Sequence, residues 1–291
     1  MLEDQEQLVL YMFLGGREMT EFCDWQGYKV SQSDNVFTIC SRWHMSGIPV
    51  FSADCDYTTM LISAIQFING TGIEIKNISS QLNIDSSVIK IATDVDVSQD
   101  LQQWQVYCFG DATFSISQSN IEKIVIPNEL NQIDNDRYQS IIDAWTMELQ
   151  ESNVSQGAYI SSQQYLESLD TRLNLIAQSD KGVIWPPRQL DDNGIKISDA
   201  NLKLSNHATI ESWTKLSPAG APSEFSLRAP ILGGISTALV KFNEGPRGVF
   251  LLVDDEESQI EIGMICEFVV RRIYAQEGQI RYGTKVRISP N

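Results

Sequence analysis

Long hydrophobic runs are missing from this chain of 291 residues. No stretch of about 18 apolar residues occurs, so a membrane-spanning helix is not expected. A signal peptide is not expected either. The opening "MLEDQEQLVLYMF" is acidic and lacks both a basic n-region and a cleavage site. Paired cysteines are missing too. The five cysteines stand at 23, 40, 55, 108 and 266, an odd and scattered set without a C-x-x-C pair. Reduced thiols in a cytoplasmic setting are expected rather than a disulfide framework, and an all-cysteine zinc site is not available. Basic residues are few, 21 Lys and Arg against 38 Asp and Glu, for a net charge of −17. Nucleic acid is therefore disfavoured as a partner, because phosphate binding needs clustered cations. Histidine is limited to His44 and His207, and His44 in "SRWHMSG" reads as a loop or packing residue rather than a base. Internal repeats and low-complexity segments are not evident.

What is present fits an ordinary globular protein, with 42% hydrophobic and 20% charged residues. The length allows two domains, and the charge is uneven between the halves. Residues 1–160 carry a balance of −15 and residues 161–291 a balance of −2, which supports two units with different surfaces.

In the first half, "NVFTICSRW" and "GIPVFSADC" read as strands. "YTTMLISAIQFINGTG" has helical periodicity, with Met60, Leu61, Ala64, Ile65 and Ile68 on one stripe and Asn69-Gly70 as a stop. "SSVIKIATDVDV" and "IEKIVIP" are expected to be strands. "QVYCFGDATFSISQS" reads as two short strands, and "NDRYQSIIDAWTMELQ" as an amphipathic helix. "EQLVLYMFLGG" is open between strand and helix. The alternation of strands and helices over 45–150 suits an α/β layer domain. "SSQQYLESLDTRLNLIAQ" is a helix that its serines can cap. From Ala208 onward five strand-like segments follow: "ATIESWTKL", "GGISTALVKF", "GVFLLVDD", "ICEFVVRRIYAQ" and "QIRYGTKVRI". Five short strands in about 80 residues suit a small barrel such as the OB-fold, with another small barrel or a sandwich as the alternative. Trp213, Phe225 and Phe268 are expected in its core.

The stretch from Tyr165 to Ile288 resembles a family of acyl-CoA-associated accessory proteins built from a leading helix, a rubredoxin-like zinc ribbon and an OB-fold. "YLESLDTRL" is similar to the helix and "GVIWPPRQL" to the first ribbon hairpin. "ATIESWTKL", "RAPILGGISTALVKFNEGPRGVFLLVDD", "IEIGMICEFVVRRI" and "IRYGTKVRI" follow in the order of the barrel strands. The family's members pair with thiolases, hydroxymethylglutaryl-CoA synthases and related acyltransferases. The chain departs from the pattern at the ribbon's cysteines, which are replaced in "AQSDKG" and "DDNGIKISD". Asp180, Asp191, Asp192 and His207 are the nearby substitutes, and a carboxylate-rich set suits zinc poorly. No metal is expected.

"PVFSADCDYTTMLISAIQFI" resembles the nucleophile segment of thiolase-fold condensing enzymes such as ketoacyl synthases. "IKIATDVDV" and "FGDATFSI" stand at similar distances. This resemblance places Cys55 at a helix start, where free backbone N–H groups and the macrodipole favour a thiolate. Asp54 and Asp56 flank it and oppose a thiolate. Asp56, Tyr57 and Thr58 replace the small residues that follow the cysteine in the family, and two histidines leave the remaining machinery incomplete.

The resulting expectation is a degenerate thiolase-like α/β domain over 1–155, a helix with a metal-free ribbon-like hairpin over 156–205, and an OB-fold barrel over 206–291. The expected role is that of a pseudoenzyme, an accessory subunit of a thiolase-like acyltransferase or condensing complex. Its partners would be a thiolase-fold enzyme and a coenzyme A or acyl-carrier-protein thioester. Arg228, Lys241, Arg271 and Lys285 are candidates for meeting coenzyme A phosphates, with ordinary surface charge as the competing reading. Two alternatives stay open. In one, Cys55 accepts the acyl group in a site completed by a partner. In the other, the barrel binds single-stranded nucleic acid, against which the acidity argues.

Overall fold

The computed structural model describes residues 21–110, 112–153, 161–179, 182–188, 190, 193–195, 200–255 and 260–289. Among them no helix is long and apolar enough to cross a membrane. The chain is mixed α/β, dominated by strands, and divides into two compact units. One unit comprises residues up to Phe51 together with Asp56–Gln132. The other comprises Ser52–Cys55 together with Ile133–Asn291.

The first unit is built on a seven-stranded sheet in the order β1-β2-β3-β9-β8-β6-β7. Its strands are β1 (Cys23–Trp25), β2 (Tyr28–Ser33), β3 (Val36–Ser41), β6 (Asn77–Ser79), β7 (Asp96–Ser98), β8 (Trp104–Gly110) and β9 (Thr113–Ser117). A second small sheet pairs β4 (Trp43–Met45) with β5 (Ile48–Val50) and β10 (Asn131–Gln132). His44 lies on β4 opposite Pro49 of β5, and its Nδ1 accepts the Gly47 N–H from the connecting turn at 3.1 Å. Helix α1 (Tyr57–Gly70) presents Met60, Leu61, Ala64, Ile65 and Ile68 to the core as their spacing requires. Its cap is Asp56, whose carboxylate accepts the Thr59 N–H at 3.0 Å and completes a capping box.

Two expectations fail in this unit. "SSVIKIAT" is not a strand but helix α2 (Ser86–Thr93). Asp85 caps it by accepting the Val88 N–H at 3.0 Å. Val88, Ile89 and Ala92 form a buried helical stripe, and Asp94 closes it in the left-handed region at φ 59°. The run of β-branched residues suggested a strand, but the cap and the 3.6-residue period prevail. α2 instead links the parallel strands β6 and β7. "IEKIVIP" also lies outside the sheets, and its Val125 and Ile126 are exposed. Ile121 and Ile124 are half-buried, and Ile124 and Ile126 line a hollow with Ile48 and Phe109 instead of joining a strand ladder.

The second unit carries helices α3 (Asn135–Glu148) and α4 (Ser162–Leu173), and the pair β11 (Ile176–Gln178) and β12 (Ala200–Lys203). A five-stranded sheet follows in the order β15-β14-β13-β16-β17. Its strands are β13 (His207–Leu216), β14 (Ile235–Phe242), β15 (Arg247–Leu251), β16 (Ile265–Gln276) and β17 (Gln279–Ile288), with the short helix α5 (Ala229–Leu232) between β13 and β14. Every ladder is antiparallel. A parallel bridge between Leu252 and Val286 brings the chain just after β15 against β17, so the two outer strands of the sheet meet. The interior holds Ala208, Ile210, Val240, Phe242, Phe250, Phe268 and Val286. Phe242 and Phe268 stack at 4.9 Å between centroids.

Phe268 occupies the core as expected, while Phe225 packs in a separate small cluster with Ala229 and Ile235. Trp213 is 44% exposed and is not a core residue. The reason is that β13 runs on past its pairing with β16, which covers only His207–Thr209; the bulge between Ile210 and Ser212 sets Trp213 opposite Ala238, yet Ser212–Leu216 are exposed on both faces. The Glu261–Met264 turn meets that bulge. Gly263, at φ 93°, donates its N–H to the Ile210 carbonyl at 2.8 Å.

The proline-containing hairpin is anchored by an aromatic contact. Trp185 stacks on Phe250 at 4.8 Å and 19° and touches Phe242 at 5.8 Å. Gln178 and Ile184 exchange backbone hydrogen bonds at its base. Gly248 makes the approach possible, because a Cβ there would lie 2.7 Å from the Phe250 ring and 2.8 Å from Trp185. Gly248→Ala is expected to destabilise the protein by about 1–3 kcal/mol through overpacking. Urea denaturation measures the loss, and an unchanged midpoint would show that Trp185 is free to move. Of the substitutes for zinc ligands, Asp180, Asp191 and Asp192 lie outside the described residues.

Candidate functional site

The residues singled out from the sequence fall in different places. Cys55 is buried at 1% exposure in the short segment Ser52–Cys55. Its Sγ lies 3.7 Å from Asp54 Oδ1. The α1 cap that would favour a thiolate belongs to Asp56. Lys241 is exposed on β14. Arg228, Arg271 and Lys285 are not on the surface at all: they are 2%, 1% and 1% exposed.

Those three cations share a buried ionic cluster with Asp54, Asp254 and Glu148. Lys285 Nζ lies 2.8 Å from Asp54 Oδ2 and 2.7 Å from Asp254 Oδ1. Arg271 Nε stands 3.5 Å from Asp54 Oδ1. Arg228 Nε donates to Glu148 Oε1 at 2.7 Å, its Nη1 to Asp254 at 3.1 Å and its Nη2 to the Ile273 carbonyl at 2.6 Å. Three carboxylates thus balance three cations. Trp145 roofs the cluster, with Arg228 and Arg272 over its ring at 4.0 and 3.7 Å. Its indole N–H donates to the Ala53 carbonyl at 2.7 Å.

The local sequence explains this placement. β16 and β17 pair antiparallel, with Arg271 opposite Gly283 and Lys285 opposite Val269, and both strands are covered on both faces there, so the two cations fall within continuous buried runs. Asp54 is the acceptor that makes their burial tolerable. Lys285 and Arg271 pull its carboxyl below the ordinary 3.8, against the opposing effect of burial. Glu148 behaves oppositely. Burial raises it above 4.5 although Arg228 and the Ala275 N–H work against that. Sequence reading recognised the cations as important and missed their carboxylate partners, which lie far away along the chain. Asp54 was noted only as a neighbour of Cys55.

The thiols follow the same logic. Burial pushes Cys40 up to about 11 and Cys266 up to about 12. Cys40, Cys55 and Cys266 are buried, while Cys23 and Cys108 are partly exposed. In native protein, Ellman's reagent is expected to modify at most Cys23 and Cys108, and all five after unfolding. Fast labelling of Cys55 on peptide mapping would contradict its placement.

A cleft of about 500 Å³ opens beside the hairpin. Trp185, Phe250, Leu239, Val249 and Ile273 supply apolar walls, and Tyr165, Tyr274, Tyr282, Arg172, Arg247 and Arg281 add polar groups. Arg247 is satisfied by a two-point contact with Glu211 at 2.6 and 2.9 Å. Among the described residues no group of three or more His, Cys, Asp or Glu could hold a metal.

No family model matches the chain, and no curated protein matches it. A solved structure titled "Ltp2-ChsH2(DUF35) aldolase" is similar to it, with 20% identity over 39% of this chain and 82% of that one, at a TM-score of 0.28.

Proposed function

We propose that the chain is a non-catalytic accessory subunit of a thiolase-like acyltransferase or condensing complex. The strand order β15-β14-β13-β16-β17, with its parallel closure at Leu252 and Val286, supports an OB-type barrel. The observation that carries the non-catalytic reading is Cys55. Its sulfur faces the Asp54 carboxylate, which is committed to Lys285 and Arg271. A nucleophilic thiolate needs a base and a positive surrounding, and here the adjacent group is an anion. The first unit is read as a degenerate thiolase-like domain that pairs with a complete one, and the barrel as the part that helps hold a coenzyme A or carrier-linked thioester. Of the four cations considered for phosphate contact, Lys241 is the exposed one. Arg228, Arg271 and Lys285 serve the cluster and contribute through the shape they hold.

The test is tagged purification from the native source, with a thiolase-fold enzyme expected in stoichiometric amount. A monomer that purifies alone at native expression sinks the proposal, as does loss of acyl transfer in Cys55→Ala within an intact complex.

A further inference from the structure

Five cations of the second unit are nearly fully buried: Arg228, Arg271, Arg281, Lys285 and Arg287. Four have carboxylates. Arg228 meets Glu148 and Asp254, Arg271 meets Asp54, Lys285 meets Asp54 and Asp254, and Arg287 meets Glu267 at 2.7 Å. Arg281 differs. It is 2% exposed, yet among the described residues no carboxylate pairs with it. Its Nη2 donates to Ser162 Oγ at 2.9 Å and its Nη1 to Gln279 Oε1 at 3.3 Å. Its guanidinium lies over the Tyr165 ring at 4.7 Å. Its Nε has no hydrogen-bond partner. Desolvating a charge is costly unless an opposite charge answers it, and neutral acceptors and a ring answer it only in part.

Arg281 lines the cleft described above. Arg172, exposed at the last turn of α4, lines it too, and both guanidiniums act electrostatically on Tyr274. Glu224 also acts on Tyr274, but it neither lines the cleft nor pairs with Arg281. Arg247 also lines the cleft and is already neutralised by Glu211. The cleft is thus polarised, with a cationic end at Arg281 and Arg172 and an apolar body along Trp185, Phe250, Val249 and Ile273. Its volume lies in the range of small-molecule sites.

We infer that this cleft binds an amphiphilic organic anion, a carboxylate or phosphate on a flat apolar body, with the anionic group at Arg281 and Arg172 and the body against Trp185 and Phe250. The inference goes beyond the accessory reading, since it concerns a pocket complete within one unit and needs no partner.

The experiment is calorimetric titration of the full chain with 2-naphthoate, 2-naphthyl phosphate and the neutral 2-naphthamide. The Trp185 indole N–H is followed by NMR and assigned with Trp185→Phe. Both anions, or one of them, are expected to bind at least about tenfold more tightly than the amide, and whichever anion is preferred identifies the headgroup. Arg281→Met is expected to abolish that preference. Arg172→Gln, at an exposed position, is expected to weaken anion binding several-fold in a protein that melts like the wild type, so the test survives if the Arg281 variant fails to fold. Equal affinity for anion and amide overturns the inference. So does unchanged binding in Arg172→Gln, no shift of the Trp185 signal, or no uptake of either anion at millimolar concentration. Any of these results leaves the stoichiometric co-purification expected above unaffected.

Discussion

Alanine at position 54 is expected to destabilise the unit that holds it by about 3–5 kcal/mol, the range for stripping one partner from a buried ion pair. Asp54 is fully buried and compensates two cations at once, Lys285 at 2.8 Å and Arg271 at 3.5 Å. It also accepts the Asp254 N–H at 3.0 Å. Removing it leaves the cluster with one more cation than anion inside a low-dielectric interior. Asp54→Asn keeps the shape and an acceptor for Asp254 but loses the charge, so its cost should fall between wild type and alanine. Urea denaturation followed by tryptophan fluorescence measures both. A loss below about 1 kcal/mol for alanine would be the value of an exposed pair and would place Asp54 in water.

The pH dependence has a definite sign. The Asp54 carboxyl is held below 3.8 in the fold. Its stabilising effect is therefore present above 3.8 and is lost as pH falls through the lower folded value. Glu148, raised above 4.5 by burial, acts in the other direction. Its contribution is full below 4.5 and is lost as pH rises through the higher folded value. Asp54→Asn is expected to flatten the acid limb of the stability profile, and Glu148→Gln the limb just above 4.5. Identical profiles for the two variants would refute the assignment.

Arg228→Met is expected to be comparably severe, about 3–5 kcal/mol, because it strands Glu148 and leaves Asp254 with one partner fewer. The guanidinium meets three acceptors and lies over Trp145 at 4.0 Å. Arg228→Lys restores the charge but not the fork or the planar stack, so it should recover less than half of the loss. Arg228→Met combined with Glu148→Leu removes both ends of one pair, and the double variant should cost clearly less than the sum of the singles. Additive losses would mean that the two side chains do not interact.

Much of the second unit was legible in the linear chain. The five strands and the α4 helix are local features. The strands rest on β-rich runs between turns and the helix on its cap; β13, β16 and β17 lie where they were expected, while β15 ends at Leu251, short of the "VDD" included in its expected run. The helix α1 was readable for the same reason. The α2 segment was not, because "VIKIA" satisfies both a strand's composition and a helix's stripe, and the decision rests with the Asp85 cap. Trp213 was misplaced because β13 runs on past the end of its pairing with β16, and where a neighbouring strand stops leaves no trace in the residues themselves.

The candidate site divides along the same line. The sequence alone determined that cations occur along β16 and β17, that cysteines stand unpaired, and that a Trp-Pro-Pro segment precedes the five strands. Periodicity and composition act between near neighbours, so these features survive without knowledge of the fold. Only the tertiary structure decided which cations are neutralised. Asp54 and Lys285 stand 231 positions apart in sequence and 2.8 Å apart in space, and no local rule joins them. Electrostatic pairing depends on distance through the fold and on exclusion of water. That is why Arg271 and Lys285 became structural charges, while Arg281, four residues before Lys285 on β17, is left facing a cleft without a counter-charge among the described residues.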